Sequence, residues 1–230
     1  MLSCNFMLRL IIAIDGPSGA GKGTVARTVA SALGYRHVDS GAMYRAIGWK
    51  ALRDRVSLDD DEAIGRLAEQ SLIDVSSTAV TMDGTDLTRA IRTPEIDHAA
   101  AAVARLPKVR EVLVERQRRL GAGGGIVMEG RDIGTVVFPL ADVKLYLDAS
   151  PEERARRRAS DPAHSAAATS VREVVRALAA RDELDRTRMA SPLHAADDAV
   201  VIDTTGKSVN EVVDAVMAVI RGKAPLASSV

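Results

Sequence analysis

The chain alternates short apolar runs with longer stretches in which apolar residues recur every three or four positions. The short runs are rich in β-branched residues and predict five buried strands, at 10–14, 36–38, 126–128, 143–147 and 199–202. Helical periodicity separates most of them, which is typical of parallel strands joined by helical crossovers. Between 72 and 88 the period changes to two, around a turn at Asp83-Gly84, and this predicts a small β insert.

Capping residues predict where the helices begin and end. Gly34 is placed to end the helix that follows the first loop, and Ser208 is placed to begin the last one. Proline at the first helical position opens two more. The predicted helices run from Ala42 to about Arg53, from Asp60 to Gln70, from Pro94, from Pro107, and from Ser208 through Ile220.

A glycine-rich turn connects the first predicted strand to the first helix. Backbone N–H groups of such a turn surround phosphate oxygens, and the N-terminus of the following helix adds positive potential. Lys22 is placed to reach the β- and γ-phosphates. The motif therefore predicts a polyphosphate site formed by Gly16, Pro17, Ser18, Gly19, Ala20, Gly21, Lys22, Gly23 and Thr24.

Two further clusters of polar residues stand where strands of the predicted sheet end. Asp39-Ser40-Gly41 follows the second strand and leads to Tyr44 and Arg45, and Glu129-Gly130-Arg131-Asp132 follows the third. Carboxyl ends of parallel strands meet at the ligand-binding edge of such a sheet. Each cluster pairs an arginine with hydrogen-bonding side chains, as a second phosphate and a ring would require. On chemistry alone, solvated turns explain these clusters equally well.

Composition limits the class of protein. The 230 residues carry 31 basic and 31 acidic side chains, so no net charge favours nucleic acid or a membrane surface. Cys4 is the single cysteine, which rules out an internal disulfide and indicates a reducing compartment. No run approaches the roughly 20 apolar residues of a membrane helix. We expect a soluble, cytoplasmic, monomeric protein that binds neither nucleic acid nor membrane.

Several separated motifs resemble the bacterial cytidylate kinases, which are nucleoside monophosphate (NMP) kinases. They are the strings at 14–24, 39–45, 91–93 and 129–139, and the resemblance runs from about Leu10 to about Ile220. It implies an α/β P-loop fold with a five-stranded parallel sheet flanked by helices, a small β-containing NMP-binding insert and a short arginine-rich lid. It also implies ATP-dependent phosphorylation of CMP, and of dCMP, to the diphosphate by direct in-line transfer with release of ADP.

The resemblance also implies how the chain is divided. A single kinase domain would span 8–222, with a core at 8–40, 122–150 and 190–222, an NMP-binding region at 41–121 and a lid region at 151–170. The remaining residues, 223–230, would form a flexible tail.

The resemblance assigns roles by position. Lys22, Arg131 and Arg188 would be catalytic. Arg154 and Arg158 would reach ATP from the lid, and Mg²⁺ would be held by phosphates and water without a direct protein ligand. The residues expected to bind CMP are Ser40, Tyr44, Arg45, Arg110, Arg131, Asp132, Arg181, Asp185 and Arg188; of these, Ser40, Arg110 and Asp132 would read the cytosine edge, and Arg181 and Asp185 would contact the sugar. Ala101 stands where some members have a sugar-binding serine, so the preference between CMP and dCMP stays open.

Two other functions remain open from the sequence. One is a P-loop kinase for another nucleoside monophosphate or phosphorylated metabolite. The other is a nucleotide-dependent switch, although the guanine-reading Asn-Lys-x-Asp motif of GTPases is missing from the sequence.

Overall fold

A computed structural model describes residues 9–160 and 171–223 and has a five-stranded parallel sheet at its centre. The strands are β1 (Ile11–Asp15), β2 (Arg36–Asp39), β6 (Ile126–Glu129), β7 (Val143–Asp148) and β8 (Val200–Asp203). Their order is β2-β6-β1-β7-β8, and every neighbouring pair is parallel. The predicted α/β class is confirmed. Because β1 is central, the loop that follows it opens at the middle of the carboxyl edge of the sheet.

The predicted β insert forms a separate antiparallel sheet. Its strands are β3 (Ile73–Val75), β4 (Val80–Met82) and β5 (Thr85–Asp86). The turn between β4 and β5 has Asp83 and Gly84 at φ 52° and 78°, the left-handed geometry of the tightest hairpins. Val75, Val80 and Met82 are buried on one face of this sheet and join the core around the neighbouring helices.

Eight helices lie around the two sheets in the described part of the chain. They are α1 (Lys22–Leu33), α2 (Ser40–Arg53), α3 (Asp61–Gln70), α4 (Pro94–Val103), α5 (Pro107–Gly121), α6 (Pro151–Ala159), α7 (Val171–Thr187) and α8 (Val209–Lys223). A single π-helical turn covers Ile133–Val137, which the periodicity did not indicate. Helix α8 ends at Lys223, the first residue of the predicted tail, and the division of the chain into regions stays a prediction. Residue 8 of the predicted core, 161–170 of the predicted lid region and 224–230 of the predicted tail lie outside the described residues.

The apolar core consists of three clusters. One packs α1 and α8 on one face of the main sheet, and a second packs α5 and the π-helical turn on the other face. The third joins α2, α3, α4 and α5 to the β insert. The region between β2 and β6 therefore has its own core, and its assignment as an NMP-binding region stays a prediction. No helix within 9–160 or 171–223 combines the length and apolarity needed to cross a bilayer.

The glycine run before β6 generates a stability prediction. Gly124 has φ 61°, and a Cβ there would lie 1.8 Å from the carbonyl oxygen of Arg9. A Cβ on neighbouring Gly123 would meet nothing within 4 Å. We expect Gly124→Ala to lower the free energy of unfolding by about 2 kcal/mol or more, because left-handed strain and the backbone clash add. Gly123→Ala is the matched control in urea unfolding, and equal losses in both variants would contradict the prediction.

Candidate active site

Every strand of the main sheet ends on an acidic residue. The five are Asp15, Asp39, Glu129, Asp148 and Asp203. Three of them organise the carboxyl edge around β1. Asp15 accepts hydrogen bonds from the N–H groups of Ile133 and Gly134 at 2.8 and 2.7 Å, which fixes the π-helical turn. Burial raises the pKa of Asp15 to about 6 despite these bonds.

The phosphate loop between β1 and α1 depends on its glycines. A Cβ on Gly16 would lie 2.0 Å from the carbonyl oxygen of Leu147, and one on Gly19 would lie 2.9 Å from Cβ of Arg154. Gly21 caps α1 in the left-handed conformation. The loop thus passes too close to β7 and α6 to carry side chains at these positions.

Arg154 and Asp182 hold this loop from behind. The Ser18 N–H donates to Asp182 Oδ1 at 3.3 Å, and Arg154 Nη1 donates to the Ser18 carbonyl at 3.1 Å. Arg154 also pairs with Asp182, and both side chains are buried. The resemblance predicted that Arg154 would reach ATP directly; its guanidinium instead has partners in the loop, and a contact with ATP stays a prediction. Asp182 was missed, because nothing local in the sequence marks it.

Lys22 is buried beside this loop. Its ammonium donates to the Pro17 carbonyl at 2.7 Å. Burial first, and the nearby positive charge of Arg131 second, lower the pKa of Lys22 to about 7, although Glu129, Asp15 and Asp182 oppose the shift. An anion bound in the loop would stabilise the protonated form of Lys22, so the site favours the binding of a negatively charged group.

Glu129 lies between the loop and β2. Its Oε1 is 3.2 Å from His37 Nε2, and a Cβ on Gly23 would lie 3.0 Å from the same oxygen. Glycine at position 23 therefore leaves room for this carboxylate. The His37 contact was missed, since it joins residues 92 positions apart.

Arg45 is held at the end of β2 by Asp39. Asp39 Oδ1 caps α2 by accepting from the Ala42 N–H, and Oδ2 accepts from Arg45 Nη2 at 2.6 Å. Arg92 Nη2 lies 3.7 Å from the same oxygen. Burial alone would raise the pKa of Asp39, but Arg45 and Arg92 outweigh it and lower the pKa. Arg92 was not among the predicted site residues, although the motif at 91–93 contains it.

Three more of the predicted arginines gather around Asp185 on α7. Asp185 Oδ2 accepts from Arg131 Nε at 2.9 Å and from Arg181 Nε at 3.4 Å, and Oδ1 lies 3.9 Å from Arg188 Nη1. Burial would raise the pKa of Asp185, but the three arginines together lower it. Arg188 Nη2 and Arg45 Nε are buried without a hydrogen-bond partner among the described residues. Arg188 Nη2 lies 3.7 Å from Asp132 Oδ1, and both donors are available to hydrogen-bond a ligand.

Two of the three predicted base-reading residues, Arg110 and Asp132, form a buried pair. Arg110 Nη2 donates to Asp132 Oδ2, and the Arg110 guanidinium lies 5.8 Å from the centre of the Tyr44 ring. Ser40 Oγ donates to the Glu129 carbonyl at 2.7 Å. Burial raises the pKa of Tyr44 to about 12, so the phenol stays neutral. A carboxylate, a guanidinium and a ring are thus available to a planar polar group.

A second cleft, of about 460 Å³, opens on the outer side of the phosphate loop. Arg157 lines this cleft, and its Nη1 donates to Thr204 Oγ1 at 2.9 Å and its Nη2 to the Thr204 carbonyl at 2.6 Å. Arg158 also lines this cleft, but its guanidinium pairs with Asp97 of α4. Sequence reasoning missed Arg157, because four nearby arginines on one helix gave no means of choosing among them.

The described residues contain no cluster of three or more His, Cys, Asp or Glu side chains placed to hold a metal ion. The expectation that phosphate oxygens and water hold Mg²⁺ at the loop stays a prediction. Such an environment suits Mg²⁺, which dehydrates reluctantly.

Comparison with known proteins gives consistent results. The family model for cytidylate kinase matches residues 12–222. A cytidylate kinase of Desulfitobacterium hafniense (strain Y51) is 48% identical over 217 residues, which cover 93% of this chain and 94% of the relative. A cytidylate kinase of Bacillus subtilis (strain 168) is 45% identical over 219 residues, covering 94% and 98%. The crystal structure of an uncharacterized protein from Eubacterium ventriosum ATCC 27560 matches with a TM-score of 0.54 at 11% identity, covering 92% and 98%, and bears on the fold alone.

The buried ammonium of Lys22 predicts a pH dependence of stability. The folded pKa of about 7 lies below the ordinary value of 10.5, so between these values the unfolded chain binds the additional proton. Stability from this group is therefore lowest below pH 7 and rises with pH. We expect the difference in unfolding free energy, wild type minus Lys22→Met, to increase by about 1 kcal/mol per pH unit between pH 7.5 and 9.5.

Lys108→Met is the control for that measurement. Lys108 is exposed, and its hydrogen bond to Glu62 raises its pKa, so it does not titrate in this range. A difference curve for Lys22→Met as flat as that for Lys108→Met would show that Lys22 is not buried as a perturbed ammonium.

Proposed function

This chain belongs to the cytidylate kinase family, and from that premise we propose that it transfers the γ-phosphoryl group of ATP to CMP, giving CDP and ADP. The observation that carries the proposal is the pair of unsatisfied buried donors, Arg45 Nε and Arg188 Nη2, in the same site as a phosphate loop with a buried lysine. A loop and lysine alone would suit many nucleotide-binding proteins. Arginine donors without hydrogen-bond partners beside them favour a second phosphate.

The acceptor phosphate is proposed to lie among Arg45, Arg131 and Arg188. Each has at least one carboxylate partner in the ligand-free chain, so each is oriented before the ligand arrives. Preorganised cations lose little freedom on binding, and guanidinium groups match phosphate oxygens in a bidentate way. An acceptor without a phosphate would leave these arginines unused.

The cytosine is proposed to lie against Ser40, Arg110 and Asp132, near the ring of Tyr44. Cytosine donates from its exocyclic amine and accepts at its ring nitrogen and carbonyl. A carboxylate accepts from the amine, and a guanidinium donates to the two acceptors. Uracil reverses this pattern at one edge, and the buried Asp132 would then face an acceptor.

The sugar is proposed to lie beside Arg181 and Asp185. Ala101 is buried on α4 and has no hydroxyl with which to hold the 2′-OH. We therefore propose that dCMP is accepted as well as CMP.

ATP is proposed to occupy the loop with its base in the cleft beside Arg157 and Thr204. Lys22 and the loop N–H groups would hold its phosphates, and Arg154 would act by holding Ser18 in place. Mg²⁺, when bound with ATP, supplies charge neutralisation at the phosphates. The transfer is direct and in line, and the chain's part is to align the two phosphates and stabilise the charge that develops between them.

A panel of nucleoside monophosphates tests this function directly. ADP release from ATP is measured with CMP, dCMP, UMP and AMP, and without an acceptor. We expect turnover with CMP and dCMP in clear preference to the others. Preference for UMP or AMP would make the chain a kinase of another monophosphate, and ATP consumption that ignores the acceptor would indicate a nucleotide-dependent switch.

Arg131→Ala tests the placement of charge between the two phosphates. Because Arg131 is close enough to Lys22 to affect its pKa, we expect its loss to remove charge stabilisation in the transition state and lower kcat by about two orders of magnitude. Arg131→Lys, which keeps the charge, should retain part of the rate. Arg119→Ala is the control, since Arg119 is an exposed arginine paired within α5. An unchanged kcat in Arg131→Ala refutes this role.

A further inference from the structure

Asp97 contacts two groups of ion pairs that serve the two nucleotides separately. It lies in the first turn of α4, on the acceptor side of the molecule. Its carboxylate accepts a hydrogen bond from Arg158 Nη2 of α6, 61 residues away in sequence. Its backbone carbonyl accepts from Arg181 Nη1 of α7 at 2.5 Å, 84 residues away. One residue therefore joins three helices.

The contact with Arg158 leads to the donor side. Arg158 and Arg154 lie one turn apart on α6, so they move together with that helix. Arg154 donates to the Ser18 carbonyl of the phosphate loop. A chain of contacts thus runs from Asp97 through helix α6 to the phosphate loop.

The contact with Arg181 leads to the acceptor side. Arg181 shares Asp185 Oδ2 with Arg131, which is proposed to hold the acceptor phosphate. A chain of contacts therefore runs from the Asp97 backbone through Arg181 and Asp185 to Arg131.

Helix α4 also packs against α2, the helix that carries Arg45. It packs tightly against α2, where a Cβ on Gly48 would lie 3.0 Å from the Cβ of Ala99. Arg45 lies on α2, so Arg45 and Asp97 are carried by two helices in close contact. Close packing transmits small displacements because it leaves no space to absorb them.

We propose that Asp97 is a positioning residue that couples the binding of acceptor and donor nucleotides, by holding Arg158 and Arg181 at once. The proposal rests on the proposed function for the identity of the two nucleotides. When Arg45 and Arg131 bind CMP, Asp97 holds α6 in place through Arg158. Helix α6 in turn holds the phosphate loop that binds ATP, through Arg154. The Asp97–Arg158 pair is about three-quarters buried on each side, so solvent weakens it less than a surface pair.

Binding measurements with an unreactive ATP analogue, adenylyl imidodiphosphate, test the coupling. Its Kd is measured with and without saturating CMP. In the wild type we expect CMP to tighten the analogue by about 5-fold or more, as is typical of coupled sites. The coupling ratio is the Kd of the analogue without CMP divided by its Kd with CMP. In Asp97→Asn this ratio should fall to within about 2-fold of one, while the Kd of each nucleotide alone changes by less than about 3-fold.

Controls separate coupling from general damage. Glu95→Gln makes the same charge change at an exposed position in the same turn of α4, and should keep the wild-type ratio. Asp97→Glu should restore part of the ratio. Arg158→Gln should lose it, and the double variant Asp97→Asn/Arg158→Gln should lose no more than either single variant.

Three results would overturn the proposal: a wild-type ratio of one, an unchanged ratio in Asp97→Asn, or an equal loss in Glu95→Gln. Activity of the wild type with CMP is measured first. A wild type that does not phosphorylate CMP refutes the proposed function, whereas an active wild type with an unchanged ratio in Asp97→Asn refutes only the role of Asp97.

Discussion

Carboxylates placed between arginines are the constraint on which the site depends. Asp185 separates Arg131, Arg181 and Arg188, and Asp39 neutralises Arg45. Without them, these positively charged side chains would repel one another and would be expensive to desolvate. With them, the cations are oriented in the ligand-free chain. Burial, together with the charge of Arg131, lowers the pKa of Lys22 to about 7, and Arg45 Nε and Arg188 Nη2 have no hydrogen-bond partner among the described residues.

Helix α7 and the strand ends supply most of these carboxylates. Along α7, Arg181 and Asp185 are one turn apart and face the acceptor arginines, while Asp182 faces the phosphate loop. One helix therefore touches both halves of the site. The strand ends provide Asp39, which is aligned with Glu129 across the neighbouring strands. Sheet register and one helix thus fix the distances between charges that come from distant parts of the sequence.

Local features of this fold could be predicted from the sequence. The five strands follow from short apolar runs, the phosphate loop from glycine spacing, and the β insert from alternation around Asp83-Gly84, and each needs only neighbouring residues. The π-helical turn could not be predicted, because Asp15 stabilises it from 118 residues away. The same limit applies to Asp182 behind the loop and to Arg157. The motif resemblance predicted that Arg154 belongs to the site. It could not predict which groups Arg154 contacts, because these contacts depend on how α6 packs.

The most direct measurement is a crystal structure with a bisubstrate analogue in which cytidine and adenosine are joined through a chain of phosphates. The account predicts that the phosphates run between Lys22 and the arginines at 45, 131 and 188, with Arg45 Nε and Arg188 Nη2 newly hydrogen-bonded. It also predicts the cytosine edge at Asp132. An analogue bound with those two donors still without partners, or with its phosphates away from Lys22, would contradict the account.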